Sequence, residues 1–400
     1  MRESEFAALQ PAAPDPILGV TAKYLADPRP EKVNLGVGIY LDEKGKAGPL
    51  AIVKEEQKAL IEAGLPNTYL PIRGLESYRN LTQRMVFGED SEIVRSGRAC
   101  TIQSLGGTGA IKLGTDFMRN VCGTTVGASS NPTWGNHDAI MRLAGMQAKK
   151  YRYYDAKNFG VDFSGMLEDV SALPAGSMPI FHSCCHNPTG YDLTIEQWKE
   201  LLELCRKNRL IPLLDMAYQG FREGLEEDAA AIRLFAQSDI NFLVATSYSK
   251  SFGLYCERVG ALTVVTQSKH EADVITTQIE ALARANYSNP AAFGSRIVAN
   301  VLSDATKRAK WEAELTKMRE RIRSMRRALS EETKRIGAKR DFSFVTRQAG
   351  MFSFTGFTPE QMDRLASEFG IYAVRNGRIC ICGLNESNVA YVAKAFAAVL

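Results

Sequence analysis

Ala245-Thr-Ser-Tyr-Ser-Lys-Ser-Phe-Gly-Leu-Tyr-Cys-Glu-Arg-Val-Gly260 is the stretch of this 400-residue chain from which the fold is best predicted. Largely apolar runs flank it, Phe242–Ala245 before and Val259–Val265 after, and such runs are typical of strands buried on both faces of a sheet. Lys250 would therefore lie at the end of a buried strand. Desolvation lowers the pKa of a lysine and frees an amine that can form a Schiff base with a carbonyl cofactor. A solvated Ser-Lys-Ser loop is the competing interpretation, which only the rest of the chain can decide.

Strand-like and helix-like segments alternate through the middle of the chain. The predicted strands are Thr124–Ala128, Tyr151–Tyr154, Met178–Cys185, Leu210–Asp215, Phe242–Ala245 and Val259–Val265. Helices are predicted at Ile52–Leu65, from Thr194 onward, where Gln197 completes a capping box, and at Asp228–Gln237. This alternation predicts an α/β fold with a mainly parallel sheet and a functional site at the carboxyl ends of its strands.

Polar and aromatic side chains follow several of these strands directly. Trp134, Asn187, Asp215, Tyr218 and Lys250 each come just past a predicted strand end. Since the carboxyl ends of parallel strands meet at one edge of a sheet, we expect these side chains to lie close together.

A glycine-rich turn over Ser104–Gly114 opens into a predicted helix. Exposed backbone N–H groups at a helix N-terminus, together with a threonine hydroxyl, favour an anion. Gly107 and Gly109 fit the first two glycines of the dinucleotide-binding pattern, but Lys112 occupies the third position. The turn therefore predicts an anion site and does not predict a nicotinamide dinucleotide site.

The two ends of the chain have a different pattern. A short helix is predicted near Ile17–Leu25, followed by a strand over Val33–Tyr40 that two glycines interrupt, a mark of close backbone approach. A long charged helix is predicted from Asp304 to about Gly337. After it, Phe342–Leu400 reads as strand, strand, helix, strand and helix, which predicts a second, α+β lobe.

Composition excludes several classes of function. Apolar residues make up 45% of the chain and charged residues 24%, as in ordinary globular proteins. The net charge of +4 is small for this length and argues against nucleic-acid binding. Neither a membrane-spanning run nor a secretory signal is evident, so a cytoplasmic protein is predicted. The eight cysteines and four histidines show no metal-ligand spacing, so we predict reduced thiols and no metal site.

Five blocks of sequence, taken together, resemble one family. They are His186–Gly190, Asp215–Gly220, Ser247–Arg258, Ala285–Pro290 and Gly377-Arg378. This order of blocks resembles the fold-type I pyridoxal-phosphate aminotransferases, in the branch of aspartate and aromatic amino acid aminotransferases, over nearly the whole chain. The resemblance implies a large domain with a seven-stranded, mainly parallel sheet flanked by helices and a small α+β domain. The implied boundaries are an arm at 1–13, small-domain parts at 14–47 and 318–400, and the large domain at 48–317.

The resemblance also implies a role for each matching residue around pyridoxal 5′-phosphate. Lys250 would hold the cofactor as a Schiff base and, once the amino acid displaces it, carry a proton between substrate and cofactor. Asp215 would pair with the pyridinium nitrogen and keep the ring an electron sink. Tyr218 and Asn187 would hydrogen-bond the phenolic oxygen, and Trp134 would stack on the ring.

His137 would support Asp215 from behind. A helix N-terminus, hydroxyl groups and a guanidinium suit the phosphate dianion. The implied phosphate-binding residues are Gly107, Thr108, Ser247, Ser249 and Arg258, together with Tyr69 from the neighbouring subunit.

For the substrate, the implied contacts are Arg378, Arg284, Gly38, Asn187 and Trp134. Arg378 would clamp the α-carboxylate as a fork. Arg284 would reach in from the other subunit and bind the side-chain carboxylate of dicarboxylic substrates. Because Tyr69 and Arg284 would act across an interface, the resemblance implies a homodimer with shared active sites.

Specificity within the branch is a separate question. The reaction implied is a ping-pong transamination through pyridoxamine phosphate, with 2-oxoglutarate as one acceptor. Tyr69–Leu75, Leu105–Gly107, Cys184–Asn187 and Gly350–Ser353 are closest to the bacterial aromatic enzymes. Leu41 stands where aspartate-specific enzymes commonly carry lysine, whereas Asn289 and Thr108 are aspartate-type. We therefore expect an aromatic amino acid aminotransferase that also accepts aspartate.

Three alternatives remain open at the level of sequence. The first is a dedicated aspartate aminotransferase. Another pyridoxal-phosphate enzyme, such as a β-lyase or decarboxylase, would keep Lys250 and Asp215 but would not need Arg284. A non-catalytic binding module would be expected to lose the lysine or an arginine, and neither is lost.

Overall fold

The computed structural model describes residues 4, 6–12 and 18–400. The predicted arm and the start of the predicted helix at Ile17 therefore lie partly outside the described residues. The helices of the first half are α1 Leu18–Ala26, α2 Ala51–Glu62, α3 Glu76–Phe87, α4 Glu92–Ser96, α5 Gly106–Asn120, α6 Asn136–Leu143, α7 Phe163–Ser171 and α8 Ile195–Lys207. Those of the second half are α9 Leu225–Asp228, α10 Ala230–Ala236, α11 Lys269–Asn286, α12 Phe293–Ser303, α13 Ala305–Arg335, α14 Pro359–Phe369 and α15 Val389–Ala398.

The strands form one large sheet and several two-stranded ones. In chain order they are β1 Val33–Asn34, β2 Ala99–Leu105, β3 Val126–Asn131, β4 Gln147–Arg152, β5 Tyr154–Asp155, β6 Gly160–Val161, β7 Met178–His182, β8 Leu213–Met216, β9 Phe242–Ser247, β10 Val259–Val265, β11 Phe352–Phe354, β12 Ile371–Tyr372 and β13 Arg378–Cys380. The large sheet has seven strands in the order β2-β10-β9-β8-β7-β3-β4. The predicted mainly parallel, seven-stranded α/β sheet is confirmed.

The directions of the strands bring distant parts of the chain to one edge. Strands β9, β8, β7, β3 and β4 run parallel, and β10 runs antiparallel to both β9 and β2. The carboxyl ends of the parallel strands and of β2 therefore lie beside the amino end of β10. In that register Leu105 pairs with Val259, and Ser247 pairs with Gly260. The residues after β2 and β9 and those before β10 consequently meet at the same edge.

The sheet is covered on both faces, as the uninterrupted apolar runs predict. Every residue of β9 and of β10 is buried. Leu243 packs in a cluster with Ile111 and Phe117 of α5, whereas its neighbour Val244 belongs to the larger cluster on the other face, with Trp198 of α8. Alternate side chains of one strand thus enter different helical layers, which fixes the register because a one-residue slip would exchange the faces.

The long charged helix is α13, which begins after its N-cap Asp304 and runs for 31 residues, about 46 Å. Its buried stripe is the predicted one: Trp311, Leu315, Met318, Ile322, Met325 and Leu329. Trp311 donates its indole N–H to the carbonyl of Ser251 at 2.7 Å and stacks on Phe252. The helix therefore anchors the turn that follows Lys250.

The small sheets join the two ends of the chain. Strand β1 pairs in parallel with β12, and β11 pairs antiparallel with β13. The predicted strand Val33–Tyr40 is wrong beyond Asn34, because the chain leaves the sheet at Gly36, where an added Cβ would collide with Val20. In place of the first strand predicted after Phe342 there is a 3-10 helix, Ser343–Arg347.

Several predicted strands of the large sheet differ in their ends; the predicted Tyr151–Tyr154, for example, overlaps only the last residues of β4 Gln147–Arg152. Strand β7 stops at His182, because Cys185 takes a left-handed backbone (φ 52°) and Asp192 accepts its N–H and that of His186. Strand β8 begins at Leu213 and not at Leu210. The capping box at Thr194 is present as predicted. Among the described residues there is no helix with the length and apolar character needed to cross a membrane.

Candidate active site

A cavity of about 230 Å³ lies at the edge of the sheet where these strand ends meet. Most of the residues predicted for the site line it: Gly38, Gly107, Thr108, Trp134, Asn187, Asp215, Tyr218, Ser247, Ser249, Lys250, Arg258 and Arg378. His137 lies behind the cavity wall, and Tyr69 and Arg284 lie outside it. The structure thus brings side chains from both ends of the chain to one place, which the two-lobed sequence pattern alone did not require.

One corner of the cavity is built to bind an anion. Helix α5 begins here with Gly106, whose N–H donates to the carbonyl of Arg258 at 2.9 Å, and the N–H groups of its next residues have no partner within the helix. Gly106 has φ +69°, and a Cβ there would lie 2.5 Å from Nη2 of Arg258, so only glycine allows the guanidinium to pack against the turn. The Arg258 guanidinium is held by the carbonyl of Tyr255 at 2.7 Å. Hydroxyls of Ser247 and Ser249 complete this corner.

Lys250 lies in the turn between β9 and β10 and lines the cavity together with Asp215. Its Nζ lies 5.0 Å from the centre of the Tyr218 ring. Burial, assisted by the positive charge of Arg258 and opposed by Asp215, lowers the pKa of Lys250 to about 8. A larger share of this amine is therefore neutral near physiological pH than for an exposed lysine, as a nucleophile or a general base requires.

Asp215 ends a chain of hydrogen bonds. Its Oδ2 lies 3.0 Å from Nε2 of His137, and Nδ1 of His137 lies 2.8 Å from the hydroxyl of Thr133. An ionised carboxylate only accepts, so the His137 proton sits on Nε2, and Nδ1 accepts from Thr133. Burial by itself would raise the pKa of Asp215, but the hydrogen bond from His137 and the nearby positive charge of Lys250 hold that pKa below its ordinary value. Asp215 is thus kept as an anion in a buried place.

Arg378 also lines the cavity. Its Nη2 donates to the carbonyl of Gly36 at 2.9 Å, and its Nη1 lies 3.5 Å from Oδ1 of Asn187. The guanidinium carbon lies 4.2 Å from the centre of the Phe352 ring, a cation–π arrangement. A buried arginine held on one side by a carbonyl and a ring keeps its fork in one orientation, which suits recognition of a carboxylate.

Comparison with known proteins identifies the family of this chain. The model of the family described as aminotransferase class I and II matches residues 30–396. The chain belongs to this aminotransferase family.

Its relatives match along their whole length. The aspartate aminotransferase of Pseudomonas aeruginosa is 50% identical over 397 residues, covering 99% of this chain and 100% of the relative. The aromatic-amino-acid aminotransferase of Burkholderia pseudomallei, solved covalently bound to pyridoxal phosphate, superposes with a TM-score of 0.98 at 50% identity and full coverage of both chains. An aromatic amino acid aminotransferase of Psychrobacter sp. B6, cocrystallised with aspartic acid, gives a TM-score of 0.96 at 42% identity, with 98% of this chain and 99% of that one covered. The protein is a pyridoxal-phosphate-dependent aminotransferase, as the sequence blocks predict.

The cavity of this aminotransferase fits the cofactor by its own chemistry. The α5 corner offers N–H groups, hydroxyls and a guanidinium for a phosphate, and a Cβ at Gly106 would collide with that guanidinium. Across the cavity, Asp215 offers a buried anion for a protonated ring nitrogen, and Lys250 offers an amine for an aldehyde. Burial raises the pKa of Tyr218 well above its usual value, so its hydroxyl stays a neutral donor for a ring oxygen.

Several residues of the aminotransferase cavity were not predicted. They are Ile111, His182, Ala217, Tyr255 and Phe352. Tyr255 lies inside the stretch that begins the sequence argument, and its hydroxyl accepts the backbone N–H of Tyr40 at 2.8 Å. Phe352 lies inside a block noted only for specificity. For Tyr255 and Phe352, the only signal in the sequence was that each is an aromatic residue within a block that resembles the family.

The histidines are closer together than their spacing in the sequence indicated. His137, His182 and Asp215 place their ligand atoms within 4.8 Å of one another, although the spacing of the histidines in the sequence shows no such group. The residues come from different elements, α6, β7 and β8, which linear spacing cannot show. Nε2 of His137 already donates to Asp215, and burial lowers the pKa of His182 to about 3. The group is therefore a hydrogen-bonded pair beside a neutral imidazole.

Tyr69 and Arg284 share one surface outside the cavity. Tyr69 is 91% exposed, and the exposed Arg284 bonds only the nearby hydroxyl of Ser288 at 3.1 Å among the described contacts. The side chain of Asn289 donates to the carbonyl of Leu70 at 2.8 Å, so the loops that carry the two residues are joined. One chain by itself therefore does not bring either residue into its own cavity.

We expect the His137→Leu variant to lose cofactor affinity in mild acid. Without the His137 donor, burial dominates, and the pKa of Asp215 rises above its ordinary value. A carboxylate with a lowered pKa keeps its charge until the pH falls through that pKa, so raising the pKa moves the loss of charge to higher pH. Each pKa unit corresponds to about tenfold in affinity below the new pKa. Equilibrium binding of pyridoxal phosphate to the cofactor-free protein between pH 5 and 8 measures this.

The exposed His270 provides a control for the loss of a histidine. The His270→Leu variant should bind the cofactor with the same pH dependence as the parent. If the cofactor affinity of His137→Leu falls at low pH no more than that of the parent, His137 does not maintain the Asp215 charge.

Proposed function

We propose that this aminotransferase exchanges amino groups between aromatic or dicarboxylic L-amino acids and 2-oxoglutarate, and that the predicted residues perform the roles assigned to them. The observation that carries the proposal is the composition of one cavity. It places Arg378 and Lys250 among the rings of Trp134, Tyr218 and Phe352. The arginine supplies a contact for the carboxylate that all substrates share. The rings supply apolar surface that an aromatic side chain can cover.

In the proposed mechanism, bound pyridoxal phosphate supplies an aldehyde for imine chemistry and a ring that withdraws electrons from the substrate Cα. Lys250 accepts the proton of the substrate Cα on its Nζ and then donates it to the cofactor, so it acts first as general base and then as general acid. Its pKa near 8 is close to the working pH, where a group can both accept and release a proton efficiently. Asp215 stays ionised, supported by His137, and holds a proton on the ring nitrogen.

The remaining residues bind and orient. Gly107, Thr108, Ser247, Ser249 and Arg258 hold the phosphate through N–H groups, hydroxyls and a guanidinium. Tyr218 and Asn187 hydrogen-bond the phenolic oxygen, and Trp134 covers the ring. Arg378 fixes the α-carboxylate, with the backbone N–H of Gly38 beside it. Holding the reacting atoms in one geometry accounts for a large share of the rate of such reactions.

The proposal includes a homodimer in which Tyr69 and Arg284 complete the partner's cavity. Their shared position on the surface, away from their own cavity, supports this arrangement. Tyr69 would then contact the phosphate, and Arg284 the second carboxylate of aspartate or glutamate. The cytoplasmic location and the domain boundaries at 47/48 and 317/318 stay predictions. The second boundary would fall inside the continuous helix α13.

A dedicated aspartate aminotransferase is the second candidate. Thr108 and Asn289 are aspartate-type residues, and the P. aeruginosa relative at 50% identity is an aspartate aminotransferase. In favour of dual specificity, the B. pseudomallei structure is an aromatic-amino-acid aminotransferase at the same identity, and the Psychrobacter enzyme of that name was crystallised with aspartic acid. Leu41 itself is half-buried and does not line the cavity, so its influence would be exerted at the entrance.

Single-turnover titration of the pyridoxal form with aspartate and, separately, with phenylalanine tests the proposal. We expect both amino acids to discharge the absorbance of the pyridoxal form, with rates within about tenfold of each other, because Arg378 serves both. In Leu41→Lys the added cation should favour aspartate over phenylalanine by about tenfold relative to the parent. If only aspartate converts the pyridoxal form, the protein is a dedicated aspartate aminotransferase. Conversion by neither would overturn the function.

A further inference from the structure

Arg326, on helix α13, is a buried arginine that lies outside the cavity. It is 2% exposed, and its guanidinium is surrounded by acceptors from one segment of chain, residues 345–353. Its Nη1 donates to the carbonyl of Val345 at 3.0 Å, and its Nη2 donates to those of Gly350 at 2.8 Å and Phe352 at 2.6 Å. The side chains of Gln348 and Ser353 lie within 3.5 Å of Nη1. One planar cation thus fixes a whole loop.

The segment 345–353 packs against the loop that carries Asn187, with no free space between them. The N–H of Ala349 donates to the carbonyl of Gly190 at 2.7 Å. A Cβ at Gly190 would lie 2.8 Å from the carbonyl oxygen of Phe352, and one at Gly350 would lie 2.5 Å from Cβ of Cys185. Because the backbones touch at these glycines, a displacement of the segment must also displace the wall of the cavity.

Phe352 connects this segment to the carboxylate-binding side chain. Its ring faces the guanidinium of Arg378 at 4.2 Å and packs edge-on against Tyr218, with ring centres 6.0 Å apart. Strand β11, which contains Phe352, also pairs with β13, where Phe354 is opposite Arg378. The position of Phe352 therefore determines the plane in which the Arg378 fork lies.

The bonds of Arg326 go to neutral oxygens, and no ion pair of this residue occurs in the part of the chain that the structure describes. Burial lowers its pKa to about 10, so it remains charged at neutral pH. A buried cation without a carboxylate is costly, and a neutral residue could have filled the same volume. A guanidinium has five donors in a fixed plane, and a loop whose carbonyls converge from several directions needs such a geometry.

We propose that Arg326 is a positioning residue for transamination, which sets the affinity for the substrate α-carboxylate by fixing Phe352 and, through it, Arg378. The inference rests on the proposed role of Arg378 and deepens it. Arg326 does not touch the substrate. It acts by keeping the ring beneath the Arg378 guanidinium, so its loss should weaken carboxylate binding while leaving Lys250 and Asp215 in place.

The test is binding of 3-phenylpropionate, a carboxylate without an amino group, to the holoenzyme by isothermal titration calorimetry. In Arg326→Lys the charge remains but the fork is lost, and we expect the dissociation constant to rise about 10- to 100-fold, as for a misplaced binding group. The absorbance of the bound cofactor and its dependence on pH should match the parent. Wild-type affinity in a folded Arg326→Lys variant would overturn the proposal.

Arg98 is the matched control. It also donates to two backbone carbonyls, those of Thr266 at 2.9 Å and Ala236 at 2.8 Å, and in addition pairs with Glu92, but it precedes β2 at the opposite end of the strands from the cavity. Arg98→Lys should leave the dissociation constant within about twofold of the parent. An equal loss of affinity in both variants would mean that Arg326 acts only through general stability, and would reject its positioning role.

Two further measurements keep the inference testable if Arg326→Lys folds poorly. Ser353→Ala removes one acceptor of Arg326 and should weaken 3-phenylpropionate binding by about 2- to 10-fold. In a double-mutant cycle, Arg326→Lys combined with Phe352→Leu should lose no more affinity than the more affected single variant, because both act on one ring. If the losses of affinity of the two single variants multiply in the double variant, Arg326 does not act through Phe352.

A parallel titration separates failure of the inference from failure of the proposed function. If 3-phenylpropionate binds the parent and Arg378→Leu equally well, Arg378 does not bind the α-carboxylate and the proposed assignment fails. If Arg378→Leu loses binding but Arg326→Lys does not, only the positioning role is rejected.

Discussion

Replacing Lys250 with alanine is expected to lower kcat/KM for every amino acid substrate by about four orders of magnitude or more. Under the proposed mechanism, the variant loses both the amine that forms the covalent link and the base that moves the Cα proton, and no other lysine lines the cavity in the described part of the chain. Steady-state kinetics with aspartate and phenylalanine measure the loss. The bound cofactor should also lose its borohydride-sensitive absorbance near the visible edge.

Two control variants isolate the cause. Lys250→Arg keeps a positive charge beside Asp215 but is not a nucleophile, so it should be as inactive as the alanine variant. Lys54→Ala, at an exposed position of α2, should retain parental rates. Activity above about 1% in either Lys250 variant would mean that another group moves the proton.

The second large effect is expected at Arg378, whose replacement by leucine should lower kcat/KM by about 10²- to 10³-fold. Removing one partner of a buried, hydrogen-bonded charge pair costs about 3–5 kcal/mol, and each 1.4 kcal/mol corresponds to a factor of ten. The loss should be similar for aspartate and phenylalanine, because both present the same α-carboxylate. Kinetics with the two amino acids in parallel give this comparison.

The Arg378→Lys variant should recover little of the lost kcat/KM, because a single ammonium group cannot reproduce the fork that Gly36 and Phe352 orient. Arg375→Leu is a suitable control. This exposed arginine lies three residues away and pairs with Asp363, which also lies on the surface. A loss confined to aspartate would assign Arg378 to the side-chain carboxylate and would contradict the proposed orientation of the substrate.

Much of the architecture could be predicted from the sequence because its signals were local. The apolar runs around Lys250 predicted buried strands, and the alternation of elements predicted a parallel sheet with Asp215 and Asn187 at its carboxyl edge. The stripe on α13 was predicted residue by residue. In each case the physical signal, periodicity or a run of apolar side chains, lies within one element.

The features that were missed depend on contacts between distant parts of the chain. Strand β1 is short because the chain leaves the sheet near Gly36, which packs against Val20 and whose carbonyl accepts from Arg378. His182 and Asp215 come together because β7 and β8 are neighbours in the sheet, and His137 on α6 joins them through its hydrogen bond to Asp215. Arg326 looked like one more charge on a charged helix, because its acceptors are backbone carbonyls, to which a sequence pattern gives no clue.

The pairing of β1 with β12 has a consequence for how the protein is made. Val33 pairs with Ile371, which is 371 − 33 = 338 residues later, and closing a loop of that length costs about 5 kcal/mol in chain entropy. A ribosome releases all seven strands of the large sheet once Val265 has emerged, so Lys250, Asp215 and Arg258 can assemble during synthesis. Gly36 and Gly38 are made more than 300 residues before Arg378, so their side of the cavity stays incomplete long after the large sheet has emerged. The residues proposed to hold the cofactor can therefore assemble before those proposed to bind the substrate carboxylate.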